Sequence, residues 1–597
     1  MVFSNSKNVQ DNQIQRTSSG LERTFDVMIA VYFLLIFVLI RVNSNFINIP
    51  GCQSLYQFDF SQNLTTIPKC YCDNATRDSD IFVQINCVTS SSIQDLAFAL
   101  DKVSLFYPRK QVIDVRLDYM IFDHEGLPDD FFLQRNAFPR SMAITNCLVD
   151  QSADYPIMLK KNVFRALERN LTSLTIMNCD LRKFPQSIRN LSNLVDLELS
   201  RCSIDDINED DFENLKNLKN IDLSSNNIRY LNRTTVKNWA LVTNLNFQDN
   251  YLRDESVEVL SNLTNLYELD LSQNFLTSES QDYLRNLKNL QKLDLSSNSI
   301  SELRKTTFDK LENMQILDIS GNRINRTGAQ TFSQLNSLKK LFLGGNFIDE
   351  NMLKNLGLNK ALNVIDISYN KLREITNLTF PSMHELMFLD LSNNVELTLK
   401  DNYALADFPS LAYLNLSSTN ISNFDRDTLK SSAILTTLDL SFTPISQLRP
   451  DVFQNSVQLA GLYLAGTQLQ ALPQNVFQNL RLLEIDLSQN DWTCDSNLTD
   501  WLPKWLVENN RNNRMKIVDV AETKCLRPEK FVNETLVRIY DQNFDLPTTT
   551  TVTFSSISQF STSTTTLSIP STAMSNNAST NETSKTKIRK LFLLSWR

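Results

Sequence analysis

At 597 residues the chain is too long for one compact core, which leaves several domains or a repeat array. Glycine, 10 residues in all, falls far below the usual ~7%, so glycine-rich phosphate loops and dinucleotide turns have little to be built from. Two histidines argue against imidazole metal cages and histidine acid–base catalysis. A net charge of −9 and a pI near 5.1 disfavour a general nucleic-acid binder, whose contact face should be basic.

Residues 1–44 read as a polar leader and a signal segment. The apolar run Val27–Ile40, VMIAVYFLLIFVLI, is shorter than the ~20 residues of a membrane span but suits a signal-peptide core. Arg41 ends it, and Val42-Asn43-Ser44 supplies residues for a cleavage site. Met28 as the true start, and retention of the run as an anchor, stay open.

Downstream one pattern returns: an apolar residue, two variable, an apolar, one variable, an apolar, two variable, Asn or Cys, one variable, an apolar. Examples are LTSLTIMNCDL (Leu171–Leu181), LQKLDLSSNSI (Leu290–Ile300) and LKKLFLGGNFI (Leu338–Ile348). The ninth position runs Cys179, Cys202, Asn226, Asn250, Asn274, Asn298, Asn322, Asn346, Asn370, Asn394, Thr419, Thr443, Thr467 and Asn490, at spacings of 23 to 25 residues. Two degenerate copies precede the series, around Val112–Phe122 and Pro139–Val149. An aromatic recurs in the second half of many units, as Phe212, Phe308, Phe332, Phe380, Phe453 and Phe477.

This period and pattern resemble the leucine-rich repeat, the signature of an α/β repeat solenoid. Apolar residues two apart, such as Leu293 and Leu295, point to one face of a short strand. A 24-residue coil cannot bury its leucines alone, so coils stack and share one core. The expectation is a curved, horseshoe-like solenoid of about 14–16 units of ~24 residues with a concave parallel β-sheet. The ninth-position Asn turns inward to satisfy backbone groups leaving the strand, and Thr419, Thr443 and Thr467 should do so less fully.

The divisions expected are 1–44 leader, 45–100 N-terminal cysteine cap, 101–490 solenoid, 491–546 C-terminal cysteine cap and 547–597 tail. Cys52, Cys70, Cys72 and Cys87 resemble the N-terminal cap of extracellular leucine-rich repeat proteins, and that resemblance implies Cys52–Cys72 and Cys70–Cys87. NDWTCD at Asn490–Asp495, WLPKWL at Trp501–Leu506 and Cys525 resemble the family's C-terminal cap. With Ser496 where a second Cys would stand, a single Cys494–Cys525 bridge is implied. Cys147, Cys179 and Cys202 take ninth positions and read as buried thiols. A Cys179–Cys202 bond is the alternative, because stacked equivalent positions lie near bonding distance.

Oxidised caps and a signal segment point to the secretory route. Candidate glycosylation sites are Asn63, Asn74, Asn170, Asn190, Asn232, Asn262, Asn325, Asn377, Asn415, Asn420, Asn497, Asn533, Asn577 and Asn581. Residues Thr548 to Ser584, dominated by Ser and Thr, read as a mucin-like disordered stalk. The closing apolar stretch Leu591–Trp596 is too short to span a bilayer or to serve as a GPI signal. A secreted protein and one whose membrane segment lies beyond this sequence both stay open.

No phosphate-loop, nucleophile-elbow or EF-hand motif occurs, and His384-Glu385 begins a zincin-like motif that Phe388 breaks. No catalytic residue, metal or cofactor is expected. The middle strand position is acidic in most coils (Glu198, Asp222, Asp270, Asp294, Asp318, Asp366, Asp390, Asp439, Asp486), which predicts an electronegative inner face. The consensus then breaks. Ile316, Lys340, Val364, Phe388 and Tyr413 stand before the second motif leucine, Phe342 and Tyr463 replace the acid, and Tyr369 and Phe442 stand at strand exits. Exposed aromatics on a rigid scaffold predict a partner-binding patch, with scattered surface apolars as the alternative. A glycan on Asn415 would project from the same face and block it.

The resemblance, to ectodomains of the Toll-like, Slit-like and chaoptin-like kinds, covers roughly residues 52 to 545. It implies an extracellular, secreted or cell-surface protein that binds a protein or glycoconjugate on its concave face. A tether to the membrane and a homo- or heterodimer are compatible with it, and a nucleic-acid partner is not expected. Recognition or adhesion is the leading function. A matrix or carrier scaffold, or the ectodomain of a receptor ending before its span, is the alternative.

Overall fold

The computed structural model describes residues 70–542, apart from 78–79, 88–90, 107–111, 123–124, 150–155, 329–330, 354–355, 357–358 and 512–513. The signal-type run, Cys52 and with it the expected Cys52–Cys72 bond, Asn63, His124, Asn577, Asn581 and the Ser/Thr-rich tail lie outside the described residues. The chain divides into two compact units. One comprises the residues up to Leu181 with Pro185–Leu194, the other Arg182–Phe184 and the residues from Val195 onward.

In the first unit the antiparallel strands Cys70–Arg77 and Asp80–Cys87 are tied at one end by the Cys70–Cys87 disulfide, Cα–Cα 4.0 Å. The helix Ile93–Phe106 follows. It starts in a reciprocal cap: the Ser92 N–H donates to the Asp95 carboxylate at 2.7 Å and the Asp95 N–H donates back to Ser92 Oγ at 3.3 Å. Pairing then turns parallel, from Asp80–Cys87 to Val112–Asp118, Ser141–Thr145 and Ser173–Met177. Alternate residues (Met142 and Ile144, Leu174 and Ile176) are buried, as the period of two requires.

The repeat cysteines depart from expectation. Cys147 is bonded to Cys179, Cα–Cα 4.9 Å, and Cys202 is a buried thiol that donates to the Ser200 carbonyl at 3.3 Å. Neither the three-thiol reading nor a Cys179–Cys202 bond holds. Stacked equivalent positions do come within bonding distance, but in the pair of coils one step earlier.

In the second unit every neighbouring strand from Asp196–Ser200 to Lys516–Val518 is parallel and in register. Lys292, Leu293 and Asp294 stand opposite Ile316, Leu317 and Asp318, and the same alignment repeats from coil to coil. Most of these strands are only three residues long because only the motif's centre is extended. The motif leucines of one coil, Leu290, Leu293, Leu295 and Ile300, are all essentially solvent-free. On the far side aromatic rings bridge successive coils: Phe212 meets Trp239 edge-on at 5.0 Å, and Phe308 stacks on Phe332 at 6.0 Å.

The ninth-position asparagines stitch these coils together. Asn298 Nδ2 donates to the carbonyls of Leu271, Leu295 and Ser296 at 2.9, 3.1 and 3.2 Å, and its Oδ1 accepts the Leu276 N–H at 3.0 Å. One buried amide thus satisfies four backbone groups in two coils. Thr419 and Thr443 instead donate one bond each, to the carbonyls of Leu416 and Leu440 at 2.7 Å. The ladder is thinner there, as the smaller side chain dictates.

The far end is covered. The strand Lys516–Val518 pairs with Glu484–Asp486, and the Cys494–Cys525 disulfide holds the following segment, Cα–Cα 5.7 Å. Trp505, on the helix Leu502–Asn510, lies 4.9 Å from Phe477, while Leu502 and Leu506 bury beneath it. Among the described residues no helix is long and apolar enough to cross a membrane.

Two outcomes test these contacts. Asn298→Ala leaves buried backbone groups unpaired and should lower stability by about 3 kcal/mol, read as a shift of the urea midpoint. Cys179→Ser should release a 32-residue cross-link and cost about 3 kcal/mol. Hydrogen exchange should show that loosening in the first unit and not in coils beyond residue 290.

Candidate functional site

The solvent-side face of the second unit's sheet is built from two side-chain columns. The third motif position reads Asn220, Asn244, Glu268, Lys292, Ile316, Lys340, Val364, Phe388, Tyr413, Thr437, Gly461 and Glu484 in register. The fifth position runs beside it, acidic except at Asn246, Phe342, Asn415 and Tyr463. Strands ~4.8 Å apart make each residue a close neighbour of its counterparts.

The acidic column has a local job. Oδ1 of Asp270 accepts the Ser272 N–H at 2.9 Å and its hydroxyl at 2.7 Å, and Asp222, Asp318, Asp390 and Asp486 hold Ser224, Ser320, Ser392 and Ser488 in the same way. Asn246 and Asn415 do this without charge, accepting from Gln248 and Ser417 at 2.9 and 3.0 Å. Turning the strand out therefore needs the oxygen and not the ion. The ions have a cost. Burial, then the charges of Asp318 and Asp270, push Asp294 well above the ordinary aspartate range. Burial pushes Asp318 up to about 6, against the pull of its bonds to Ser320. Asp270 is also raised, by burial first.

From Ile316 onward the face becomes apolar, and the expected exposure of its aromatics is corrected. Ile316, Phe342, Val364, Phe388 and Tyr413 form one buried cluster, with Phe388 and Tyr413 at 0% and 1% exposure. Their rings stack at 4.3 Å and 4°, so strand spacing makes each cover a face of the other. Tyr463 is buried as well. It leans over Gly461, where an added Cβ would lie 3.4 Å from the ring, and donates to Glu484 Oε2 at 2.8 Å. Lys516 reaches the other Glu484 oxygen at 2.9 Å. Lys340 is half-buried, and burial lowers its ammonium pKa.

Tyr369 and Phe442 behave otherwise. They are 59% and 52% exposed, at the eighth motif position where the chain leaves the strand. Both adopt left-handed backbone, φ 53° and 58°, where other coils place Ser297, Gly321, Gly345, Asn393 or Gly466. The Phe442 ring crosses Gly466, where a Cβ would lie 2.5 Å from Cδ1. Three strand spacings, about 15 Å, separate the two aromatics. The same rim carries exposed Phe347, with Lys371 Nζ 4.5 Å from its ring centroid, and exposed Val395. These tenth-position residues escape a reading confined to the strand. Extending the column comparison past the Asn would have found them.

Asn190, Asn262, Asn325, Asn377, Asn420, Asn497 and Asn533 are exposed, and Asn170 and Asn232 are half-buried. Asn415 differs: it is 3% exposed and its Nδ2 donates to Asp390 Oδ2 at 3.1 Å. The expected glycan there is not compatible with that nitrogen's position.

Because the carboxyls of Asp270, Asp294 and Asp318 titrate higher when folded, the folded state holds extra protons above the ordinary aspartate value, up to about pH 6 for Asp318. The column's contribution to stability therefore falls as pH rises through that window. Neighbouring Glu268 and Lys292 form their own ion pair at 3.3 Å. Asp294→Asn keeps the acceptor for Ser296 and should raise stability at pH 7 by on the order of 1 kcal/mol. Denaturation midpoints from pH 4 to 7 should flatten accordingly; an unchanged slope would count against the assignment.

The family described as leucine rich repeat matches residues 169–228, 240–300, 288–348, 360–421 and 433–491. No curated protein sequence matches the chain. Among solved structures, a leucine-rich repeat protein of Leptospira interrogans aligns at TM-score 0.55 and 23% identity, over 66% of this chain and 92% of that one. The TLR13–ssRNA13 complex aligns at TM-score 0.49 and 21% identity, over 74% of this chain and 61% of that one. An internalin of Listeria monocytogenes aligns at TM-score 0.40 and 19% identity, over 60% and 87%. At these identities the likeness concerns the fold. Repeat period, matched segments and backbone agree that the chain folds as a leucine-rich repeat solenoid.

Proposed function

We infer that the chain is a non-catalytic recognition or adhesion protein of the secretory route, and that its second unit binds a protein partner along the strand-exit rim between Phe347 and Phe442. The observation that carries this reading is the pair Tyr369 and Phe442. A bulky aromatic in left-handed backbone costs on the order of 1 kcal/mol relative to glycine. Only Gly321, Gly345 and Gly466 escape that cost at the same position, and the other coils place smaller or polar side chains there, such as Asn393 and Ser418. A side chain retained there, half exposed and contributing little to the core, is accounted for by contact with another molecule. Phe347, Lys371 and Val395 widen the same strip, and the stacked Phe388 and Tyr413 stiffen the sheet behind it. The disulfides and exposed sequons support a secretory, glycosylated product.

Aspartate substitutions at buried Phe342 or Tyr413 would test folding more than binding. The informative variant is Tyr369→Asp with Phe442→Asp, compared with Tyr540→Asp, which is exposed elsewhere. In crosslinked capture on cells with the full chain, the double variant should lose a specific partner at least tenfold, and Tyr540→Asp should retain it. Unchanged capture of every partner overturns the rim assignment. Tagged protein should reach the medium or cell surface and shift on endoglycosidase treatment; an unglycosylated cytosolic product overturns the secretory reading.

A further inference from the structure

The tenth motif position reads Arg323, Phe347, Lys371 and Val395 in four successive coils, and all four side chains are exposed. Lys371 Nζ lies 4.5 Å from the Phe347 ring centroid, so the ring holds this cation at the rim. Among the described residues, neither the Arg323 guanidinium nor the Lys371 ammonium makes an ion pair or donates a hydrogen bond. The nearby acids are engaged elsewhere. Asp349 Oδ1 accepts the N–H groups of Asn351 and Met352 at 3.0 and 3.1 Å, and Glu350 Oε2 accepts the Arg373 N–H at 3.3 Å. Glu396 pairs with the Arg373 guanidinium at 2.9 Å. On the sheet face of the Phe347 coil, Phe342 stands where other coils carry an acid. In a chain of net charge −9, two cations therefore flank an exposed ring with no carboxylate of their own.

The rim beside them is cut down to backbone. Gly321 and Gly345 fill the eighth position in the coils of Arg323 and Phe347, both exposed and left-handed at φ 63° and 68°. A Cβ on Gly345 would lie 3.4 Å from the Gly321 nitrogen. Tyr369, next in that column and 59% exposed, rises where the glycines end and closes the notch. The N–H groups of Gly321 and Gly345 donate to the carbonyls of Gly344 and Ser368 at 2.7 and 2.8 Å. The floor thus offers close approach and not donors. Donors come from Arg323 and Lys371, one strand spacing to either side of Phe347 and so about 10 Å apart.

We propose, resting on the rim reading above, that the partner presents an extended acidic peptide segment in which an aromatic or large aliphatic side chain is flanked by Asp or Glu. The apolar side chain enters the glycine notch against Tyr369, and the flanking carboxylates pair with Arg323 and Lys371. A guanidinium meets a carboxylate with two parallel hydrogen bonds. Rings beside each cation displace water and strengthen the pairing. Three residues of extended chain, at ~3.3 Å each, span the distance between the two cations. A basic segment would meet like charge here. A nucleic acid carries a phosphate charge every few ångströms and calls for a continuous basic stripe, where this rim supplies two isolated cations.

Selection of random displayed dodecapeptides against the full chain, with affinities of the enriched peptides from fluorescence anisotropy, tests the proposal. Enriched peptides should carry Asp or Glu within two residues of Phe, Tyr, Trp or Leu, and should bind several-fold more weakly as salt rises from about 50 to 300 mM. Arg323→Glu with Lys371→Glu should weaken the best peptide at least tenfold, and Arg323→Lys should weaken it less. Lys237→Glu, an exposed lysine in an earlier coil, should leave it unchanged. Thermal unfolding should match the wild type in all these variants, since the substituted side chains are exposed. Loss of binding in Tyr369→Asp/Phe442→Asp without loss in the charge reversal overturns the acidic partner and leaves the rim standing; loss in neither overturns both. Enrichment of basic or uncharged peptides, no enrichment at all, or Lys371-dependent capture of a single-stranded oligonucleotide in place of peptides also overturns the proposal.

Discussion

The structure depends on a backbone that leaves each strand into a buried turn and must find partners there. A 24-residue coil ends its extended segment with carbonyls and N–H groups facing the core, where water cannot reach them. The inward asparagine solves this once per coil, bonding its own turn and the one before it. Because the same amide touches two coils, neighbours must be in register, and parallel pairing of the short strands follows. The leucine core then joins residues that no single coil could bury.

Such a frame separates what holds the fold from what the surface can display. Motif leucines and asparagines are committed inward, while the third, fifth, eighth and tenth positions vary with little effect on the stack. The second unit uses that freedom in a graded way. Its earlier coils carry polar and acidic residues on the sheet face, its later coils carry packed rings, and aromatics stand out along the strand-exit edge. A rigid sheet orders those side chains before any partner arrives, which lowers the entropy lost on binding.

The aspartate column shows how one residue serves geometry and charge at once. Its oxygen caps the serine at the strand's end, a role that Asn246 and Asn415 perform equally well. Its charge is an added expense, raised by burial and by like charges one strand away. The electronegative face anticipated from the repeat is therefore partly a by-product of turn formation.

Much of this was legible in the residues themselves. The spacing of Asn226 to Asn394 determined the coil length, the strand positions and the parallel register, because only one side-chain geometry satisfies the turn at that period. Cys494 and Cys525 could be paired by their resemblance to a cap. Other features were decided only when distant coils met in space. Cys147 bonds Cys179 because their coils stack side by side, a choice that the shared ninth position left open. Phe388 and Tyr413, which read as exposed, are buried against each other, since exposure depends on what lies across the strand spacing. Local sequence sets which way a side chain points, but accessibility is a property of the whole stack.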